Sequence, residues 1–225
     1  MRVDPRSPGL NLGDDISDPH LYFNNLDKLN ILGGGSYPIL ESYSENTILW
    51  SVGLSIKSKV EYTIHKLPFT VAGIRDECFV DKYLFLPCVS CMNNDITSEP
   101  VGNETLYYLN ASHPVNHPHA LYNNCSLNTF LDAWRQSETI VTNSYHGIYW
   151  ALLSKRRVIP FGYSTKFISV LRMFGLELPT SNFYVKEKSA DVLNKIDYTI
   201  LESSVDRLQE FRDRNNEFAE KVLNV

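Results

Sequence analysis

A chain of 225 residues, 43% hydrophobic and 21% charged, has the composition of an ordinary globular protein and can bury one large core or two compact ones. Its formal net charge of -5 offers no basic surface for nucleic acid, and no apolar run approaches the roughly 20 residues that span a bilayer. The N-terminal stretch, Met1-Arg-Val-Asp-Pro-Arg-Ser-Pro, lacks the apolar segment of a signal peptide. These features predict a cytoplasmic protein of two small domains that does not bind nucleic acid.

The first half of the chain predicts short buried strands, each followed by small or charged residues at a ligand-facing edge. Arg75 ends the third of them and could clamp a carboxylate or phosphate, although a surface ion pair with Asp76 or Glu77 is the simpler alternative. The triple glycine lacks a phosphate-loop lysine, so it more simply closes a tight turn and implies no nucleotide cofactor. The predicted strands are Leu29 to Leu32 before Gly33-Gly-Gly, Thr47 to Trp50 before Ser51-Val-Gly, and Phe69 to Ile74 before Arg75.

The middle of the chain is polar from Asn93 to Gly102 and contains Pro100, which predicts a linker between the halves. Just before it, Cys88 and Cys91 form a Cys-x-x-Cys without a second pair at zinc-site spacing. We interpret both as core cysteines.

The second half predicts a strand, a helix and then a βαβ unit of a buried parallel sheet. The helix that follows Gly147 is apolar on most of its surface, and the tail from Ala190 to Val225 is predicted to be helical. In that tail Leu208, Phe211, Phe218 and Val222 can share one stripe. The predicted elements are a strand at Thr105 to Leu109, a helix at Leu127 to Gln136, and βαβ strands at Thr139 to Val141 and Val158 to Phe161.

The two loops of the βαβ unit open at the same edge of the sheet, where open α/β sheets bind ligands. His146 stands in the turn that enters the helix, with Ser144, Tyr145 and Gly147 around it, so its imidazole can face a ligand. Lys166 follows the second strand and could reach an anion, although an exposed lysine at a helix start is nearly as good an interpretation.

Two other polar clusters invite a functional interpretation. The histidines His113, His117 and His119 are separated by prolines and lack a completing ligand set, so they predict a groove-shaping loop rather than a metal site. The run Lys155-Arg-Arg is predicted to be a solvated helix end without a catalytic role.

Six short motifs follow one another along the chain: Asn11-Leu-Gly-Asp-Asp-Ile-Ser, Ile31-Leu-Gly-Gly-Gly-Ser, Ile48-Leu-Trp-Ser-Val-Gly, Gly73-Ile-Arg-Asp-Glu, Val141-Thr-Asn-Ser-Tyr-His-Gly, and Val158-Ile-Pro-Phe-Gly leading to Lys166. In this order, over nearly the whole chain, they resemble the polysaccharide pyruvyl transferase family. Many members of that family have Arg-Leu before the histidine, where this chain has Ser144-Tyr145, so one cation expected at the donor phosphate is missing. The first domain is also short for the family, as in a minimal or truncated member.

The resemblance implies two Rossmann-like domains in a GT-B-like arrangement, residues 1-98 on the acceptor side and 99-225, with the C-terminal helices, on the donor side. It implies phosphoenolpyruvate as donor substrate, with no cofactor and no metal. The acceptor would be a sugar of a polysaccharide or a lipid-linked oligosaccharide, and a lipid-linked acceptor would bring the protein to the inner membrane surface. His146 corresponds to the essential histidine of the family, and Lys166 and Arg75 correspond to donor-site cations.

Three alternatives stay open at this point. Asp14 could bind or deprotonate the acceptor hydroxyl, or it could be a helix N-cap. A glycosyltransferase of the same architecture would use a nucleotide sugar instead, with Glu177 as the candidate ribose-binding carboxylate. A degenerate module that only binds glycans would fit the missing arginine and the short first domain.

Overall fold

The computed structural model describes residues 11–35, 47–53, 71–76, 84–184 and 191–224, and these form an α/β fold with two four-stranded parallel sheets. In the first sheet, β1 (Ile31–Gly33), β2 (Ile48–Val52), β3 (Val71–Ile74) and β4 (Leu84–Phe85) pair in that order. All five residues of β2 are buried, as expected for a strand covered on both faces. The three predicted strands are confirmed with slightly shifted bounds, except that residues 69 and 70 lie outside the described part.

The second sheet has the order β6 (Leu121–Tyr122), β5 (Glu104–Leu109), β7 (Ser137–Thr142) and β8 (Arg157–Pro160), again all parallel. The predicted βαβ unit is confirmed: β7 and β8 are neighbours, joined through a helix. The helices of the described residues are α1 (Leu12–Ile16), α2 (Asn94–Thr97), α3 (Leu127–Gln136), α4 (Tyr145–Leu153), α5 (Thr165–Arg172) and α6 (Leu208–Leu223).

Helix α4 is buried on every side. All nine of its residues are buried, which agrees with its nearly continuous apolar sequence. Its Tyr149 hydroxyl donates to the Cys88 carbonyl at 2.9 Å, and its Trp150 indole donates to Ser90 Oγ at 2.9 Å. Cys88 and Ser90 come directly after β4, the last strand of the first sheet. These two hydrogen bonds therefore attach α4, a helix of the second sheet, to the first sheet.

The polar segment from Asn93 to Gly102 is a packed connection between the two sheets. Asn93 caps α2 by accepting from the Ile96 backbone N–H, and Ile96 is completely buried. The Trp134 indole donates to the Ile96 carbonyl at 2.9 Å, which fixes α2 against α3. Polar composition therefore marks the position of the connection between the sheets, but the segment is ordered by capping and packing.

The prediction of a helical tail is confirmed for α6 and wrong for residues 197–207, which are irregular. Leu201 pairs with Val158 by two backbone hydrogen bonds of 2.8 and 2.9 Å, so this part of the tail extends along the second sheet. The Asp197 side chain accepts from the Thr199 backbone and hydroxyl, a local turn that competes with helix formation.

Helix α6 connects the cores of the two sheets. Near its start, Phe211 stacks on Tyr149 with ring centroids 6.0 Å apart. Near its end, Phe218 packs edge-on against Trp50 of β2 at 4.9 Å. Between them the buried Asn215 accepts from the Trp50 indole at 2.9 Å. The predicted apolar stripe is confirmed, and its C-terminal end covers the first sheet.

The prediction that Lys155-Arg-Arg is a solvated helix end is wrong for Arg156, which is only 1% exposed. Its guanidinium donates to three backbone carbonyls, those of Ser98, Trp134 and Ser137, at 2.6, 3.1 and 2.9 Å. Burial lowers the pKa of Arg156 to about 10, so the side chain is charged at neutral pH. Arg156 thus holds together the ends of three segments through hydrogen bonds to their carbonyls.

No helix among the described residues combines the length and the apolar character that crossing a membrane requires.

Candidate active site

The candidate site lies where the strand order of the second sheet reverses. The chain leaves β5 for β6 on one side and then crosses to β7 on the other, so β5 and β7 are neighbours whose connections run to opposite sides of the sheet. Crevices of this kind are where open α/β sheets bind ligands. Asn143, directly after β7, accepts from the backbone N–H of Asn110 at 2.7 Å and donates to the Tyr184 hydroxyl at 3.1 Å. These bonds hold the rim of the crevice.

Ser144 begins α4 at this edge. It is the N-cap residue, but its side chain makes no capping hydrogen bond to the helix. Its backbone N–H donates to Thr142 Oγ1 at 3.0 Å. Gly147 faces the sheet, since a methyl group there would overlap Thr142 and approach Tyr108 Cδ1 to 2.9 Å. The glycine therefore allows α4 to pack closely, and this packing sets the position of His146 one residue earlier.

The His146 imidazole is buried among side chains from three distant segments. Its Nε2 lies 3.1 Å from Ser17 Oγ and 3.6 Å from Cys88 Sγ, and these two atoms are 3.0 Å apart. Ser17 directly follows α1, and Cys88 follows β4. The carboxyl edge of the first sheet and that of the second therefore meet at this histidine.

Helix α1 is wedged between the two sheets. The Leu12 N–H donates to the Asn123 carbonyl at 2.6 Å, which attaches α1 to the end of β6. On its other side, a methyl group at Gly34 would lie 2.6 Å from Ser17 Cβ, and Gly34 has a positive φ of 62°. The triple glycine after β1 thus closes a turn, as predicted, and also leaves space for Ser17.

The N-cap interpretation of Asp14 is wrong, because Asn11 is the N-cap of α1. Asn11 accepts from the Gly13 backbone N–H at 3.1 Å and donates its side-chain amide to Asp14 Oδ2 at 2.8 Å. Asp14 is therefore held in the first turn of α1, half-buried, with its carboxylate oriented by Asn11.

Arg75 emerges from the end of β3 and is 2% exposed. Its guanidinium lies 3.8 Å from the centre of the Tyr145 ring, a cation–π contact between the two sheets. Burial opposes the charge, but the fields of Tyr145, Cys88, Asp76 and Asp14 outweigh it and raise the pKa of Arg75 above its ordinary value. Arg75, Tyr145 and Cys88 therefore lie in one neighbourhood, and the buried carboxylate of Asp76 also acts on the guanidinium.

Burial raises the pKa of Tyr145 far above its ordinary value, although Arg75 opposes the shift, so the phenol is neutral at physiological pH. Its hydroxyl is buried and makes no hydrogen bond within the described residues.

Lys166 lies in the first turn of α5, half-buried, with Nζ 3.2 Å from the Tyr163 hydroxyl. Tyr163 stacks on His113 with ring centroids 3.9 Å apart. Burial raises the pKa of Tyr163, with smaller contributions from Tyr184 and Asp14. Asp14 makes the smallest of the contributions that raise the pKa of Tyr163 and that of Arg75.

Ser164 is the N-cap of α5, and its hydroxyl is buried without a hydrogen-bond partner in the described part of the chain. Helices α4 and α5 thus both begin at this edge of the sheet without a side-chain cap. Uncapped N-terminal N–H groups, together with Lys166, provide donors that suit an anionic ligand.

Other predicted residues lie apart from this cluster or have a structural explanation. His117 stacks on Tyr107 at 3.6 Å, and within the described ranges no group of three or more His, Cys, Asp or Glu side chains is arranged to hold a metal. Glu177 is exposed after α5. Cys91 fits its prediction as a core cysteine, since burial raises the pKa of its thiol to about 12.

Sequence reasoning missed Ser17 and Cys88 as neighbours of His146. Cys88 was assigned to the core, and it is indeed buried, but its sulfur faces the imidazole. The sequence contained one signal for Ser17. It lies four positions after Gly13, so the two residues lie on the same side of α1 and of the turn that ends it.

Gly13 makes room for the imidazole, because a methyl group at this position would overlap the His146 ring. We expect Gly13→Ala to destabilise the protein by about 1–3 kcal/mol, as overpacking does, and to displace the ring. Urea unfolding and the imidazole NMR signals of His146 measure the two effects. Asp15→Ala, in the same helix, is the matched control and should cost under about 1 kcal/mol. Unchanged stability and unchanged His146 signals in Gly13→Ala would contradict this account of Gly13.

Comparisons of the chain with protein-family models, with curated proteins and with solved structures found no match, so the functional argument rests on its own residues.

Proposed function

We propose that this chain is a pyruvyl transferase that moves the enolpyruvyl carbons of phosphoenolpyruvate to a sugar and closes a cyclic ketal. The observation that carries the proposal is that positive groups from both sheets lie at the two carboxyl edges, which meet at His146. Arg75 comes from the first sheet, and Lys166 and two uncapped helix starts come from the second. A small donor with a carboxylate and a phosphate needs such a set of partners.

The proposal includes a GT-B-like arrangement of two Rossmann-like domains. It is supported by the meeting of the two carboxyl edges at His146 and by the return of α6 to the first sheet. Placement of the donor between the edges would put its carboxylate and phosphate within the fields of Arg75 and Lys166. Ser144 and Tyr145 would line the donor pocket, with Gly147 positioning the helix start behind them.

The serine and tyrosine that replace the Arg-Leu of many family members also fit this pocket. The Arg75 guanidinium lies 3.8 Å from the centre of the Tyr145 ring. A positive charge from the first sheet is therefore close to Tyr145, one of the two positions that differ from the family pattern. We propose that Arg75 supplies the positive charge for the donor that the missing arginine would otherwise supply.

In the proposed reaction, protonated His146 gives a proton to the methylene carbon of phosphoenolpyruvate, and the electron pair of the carbon–carbon double bond forms the new C–H bond. A sugar hydroxyl adds to the neighbouring carbon and loses its proton to Asp14. The C–O bond to phosphate then breaks, and phosphate leaves toward Lys166 and Arg75 with the proton that Asp14 had taken up. A second hydroxyl of the sugar adds to the same carbon and gives its proton to His146, which closes the ketal. The reaction needs neither a metal nor an oxidant.

Calorimetric titration with phosphoenolpyruvate tests the donor assignment. We expect saturable binding by the wild-type protein and at least about tenfold weaker binding by Lys166→Ala, because a hydrogen bond to a charged group is removed. Lys155→Ala is the matched control: this lysine is exposed and pairs with Glu99 at 2.9 Å, so its loss should leave binding unchanged.

The other results of the titration have clear meanings. Binding of a uridine diphosphate sugar without binding of phosphoenolpyruvate would replace the proposal by a nucleotide-sugar glycosyltransferase. Binding of neither would favour a glycan-binding module without catalysis. Binding of phosphoenolpyruvate would justify a screen of acceptor sugars, with released phosphate as the readout.

A further inference from the structure

The hydroxyl group of Ser17 has one hydrogen. The direction in which this hydrogen points is determined by the nearest hydrogen-bond acceptor. Ser17 Oγ lies 2.6 Å from the carbonyl oxygen of Gly13, which can only accept. This is the back-bond to residue i-4 that serine commonly forms at a helix end. The hydrogen of Ser17 is therefore committed to Gly13.

Ser17 Oγ can consequently only accept from its two remaining neighbours. These are His146 Nε2 at 3.1 Å and Cys88 Sγ at 3.0 Å. An unprotonated Nε2 would place its lone pair against a lone pair of Oγ in a buried site, where such a contact is costly. The contact is favourable only if Nε2 carries a hydrogen.

The Cys88 thiol does not compete with this hydrogen bond by donating to His146 Nε2. Its sulfur lies 3.0 Å from Ser17 Oγ and 3.2 Å from Ser90 Oγ, but 3.6 Å from His146 Nε2. The thiol hydrogen thus has two closer acceptors than the imidazole. A thiol that donated to Nε2 instead would leave Ser17 with an unfilled acceptor and a repulsive neighbour.

The ring is also held in place by its neighbours. Gly13 lies against it on one side, and Trp150 is tilted over it with ring centroids 5.3 Å apart. Rotation of the ring would require the Ser17 contact to break. The nitrogen that faces Ser17 is therefore held there by packing.

We infer that Ser17 is a positioning residue that holds neutral His146 in its Nε2–H tautomer, so that Nδ1 is the nitrogen that gives up and regains the catalytic proton. The second half of the inference rests on the proposed function. In the acid step the Nδ1–H bond breaks, the proton joins the donor carbon, and the imidazole that remains is the tautomer that Ser17 favours. In the return step Nδ1 takes up the proton of the second sugar hydroxyl as the ketal closes.

The tautomer can be measured directly by long-range ¹H–¹⁵N NMR correlation on protein labelled with ¹⁵N-histidine. The spectrum is recorded near pH 8, above the ordinary histidine pKa of about 6.5. The chain contains 6 histidines, and the signals missing from His146→Gln identify those of His146. We expect the pattern of the Nε2–H tautomer in the wild-type protein. The Nδ1–H pattern would overturn the inference without any variant.

Three variants separate the role of Ser17 from general packing. Ser17→Ala should give a mixture of the two tautomers. Ser90→Ala, the matched control, removes another buried hydroxyl that contacts Cys88, and it should preserve the Nε2–H pattern. Cys88→Ala should preserve it as well, because Ser17 still accepts. A pure Nε2–H pattern in Ser17→Ala, or its loss in Cys88→Ala alone, would assign the effect to another group and overturn the role of Ser17.

The role of Ser17 and the proposed function can be contradicted separately, the first by the NMR experiment and the second by the binding and activity measurements. If wild-type His146 is the Nε2–H tautomer and phosphoenolpyruvate does not bind, Ser17 still orients the ring and the proposed function is wrong. If pyruvyl transfer occurs and His146 is the Nδ1–H tautomer, the function stands and the inference is wrong. Where transfer is active, Ser17→Ala should lower kcat about tenfold or more while KM for the donor stays within about twofold.

Discussion

Replacing His146 with glutamine should reduce pyruvyl transfer by about 100- to 10,000-fold, the contribution typical of a general acid. Glutamine can still donate to Ser17, which lies 3.1 Å from Nε2 in the native structure, but it cannot release a proton to carbon. We therefore expect an intact fold and near-normal donor binding. Phosphate release in the presence of donor and acceptor sugar measures the loss, and calorimetry measures the binding.

The control for this substitution is His119→Gln. His119 lies on the exposed loop after β5, away from the buried imidazole, and its replacement should leave turnover within about twofold. Turnover by His146→Gln within a few-fold of wild type would remove His146 from the reaction. Equal losses in the two variants would indicate a general effect of histidine replacement.

Arg156→Ala should destabilise the protein by about 3 kcal/mol or more, since three hydrogen bonds to a charged group are lost and each contributes about 1.5–3 kcal/mol. The substitution removes the guanidinium from the carbonyls of Ser98, Trp134 and Ser137, and the Trp134 carbonyl keeps the Ser137 backbone N–H as a donor. It also removes a guanidinium 4.3 Å from the centre of the Trp134 ring. Such a loss is a large part of the roughly 5–15 kcal/mol that stabilises a typical domain. Urea unfolding followed by tryptophan fluorescence measures it.

The neighbouring Arg157 provides the matched control. It has the same side chain, but it is 44% exposed and pairs with Glu202 at 2.7 Å on the surface. We expect Arg157→Ala to cost less than about 1 kcal/mol, as surface ion pairs do. Equal effects of the two substitutions would mean that the buried contacts of Arg156 contribute no more than a surface charge.

The difference between these two arginines illustrates which features local sequence can predict. The βαβ unit around α4 was predictable because apolar runs of strand and helix length are properties of short windows. Arg156 was not, because its burial depends on carbonyls from three segments between Ser98 and Ser137. A window that contains only Lys155-Arg-Arg has the composition of a solvated helix end.

The residues of the candidate site also fall into two groups, those that the sequence predicts and those that it does not. The positions of His146 and Lys166 followed from the rule that strand ends share an edge, and the structure places them there. Ser17 and Cys88 could not be predicted as partners of His146, since they are 129 and 58 residues away in the chain. Their approach depends on how the two sheets pack, which no local pattern encodes.

The path of α6 has a consequence for the order in which the chain can fold during synthesis. Strands β1 to β4 leave the ribosome early, yet part of their covering layer is Phe218 and Val222, which are made more than a hundred residues later. Until that helix emerges, Trp50 has no partner for its indole N–H among the described residues. The nascent first sheet therefore stays incompletely covered while the second sheet is being made.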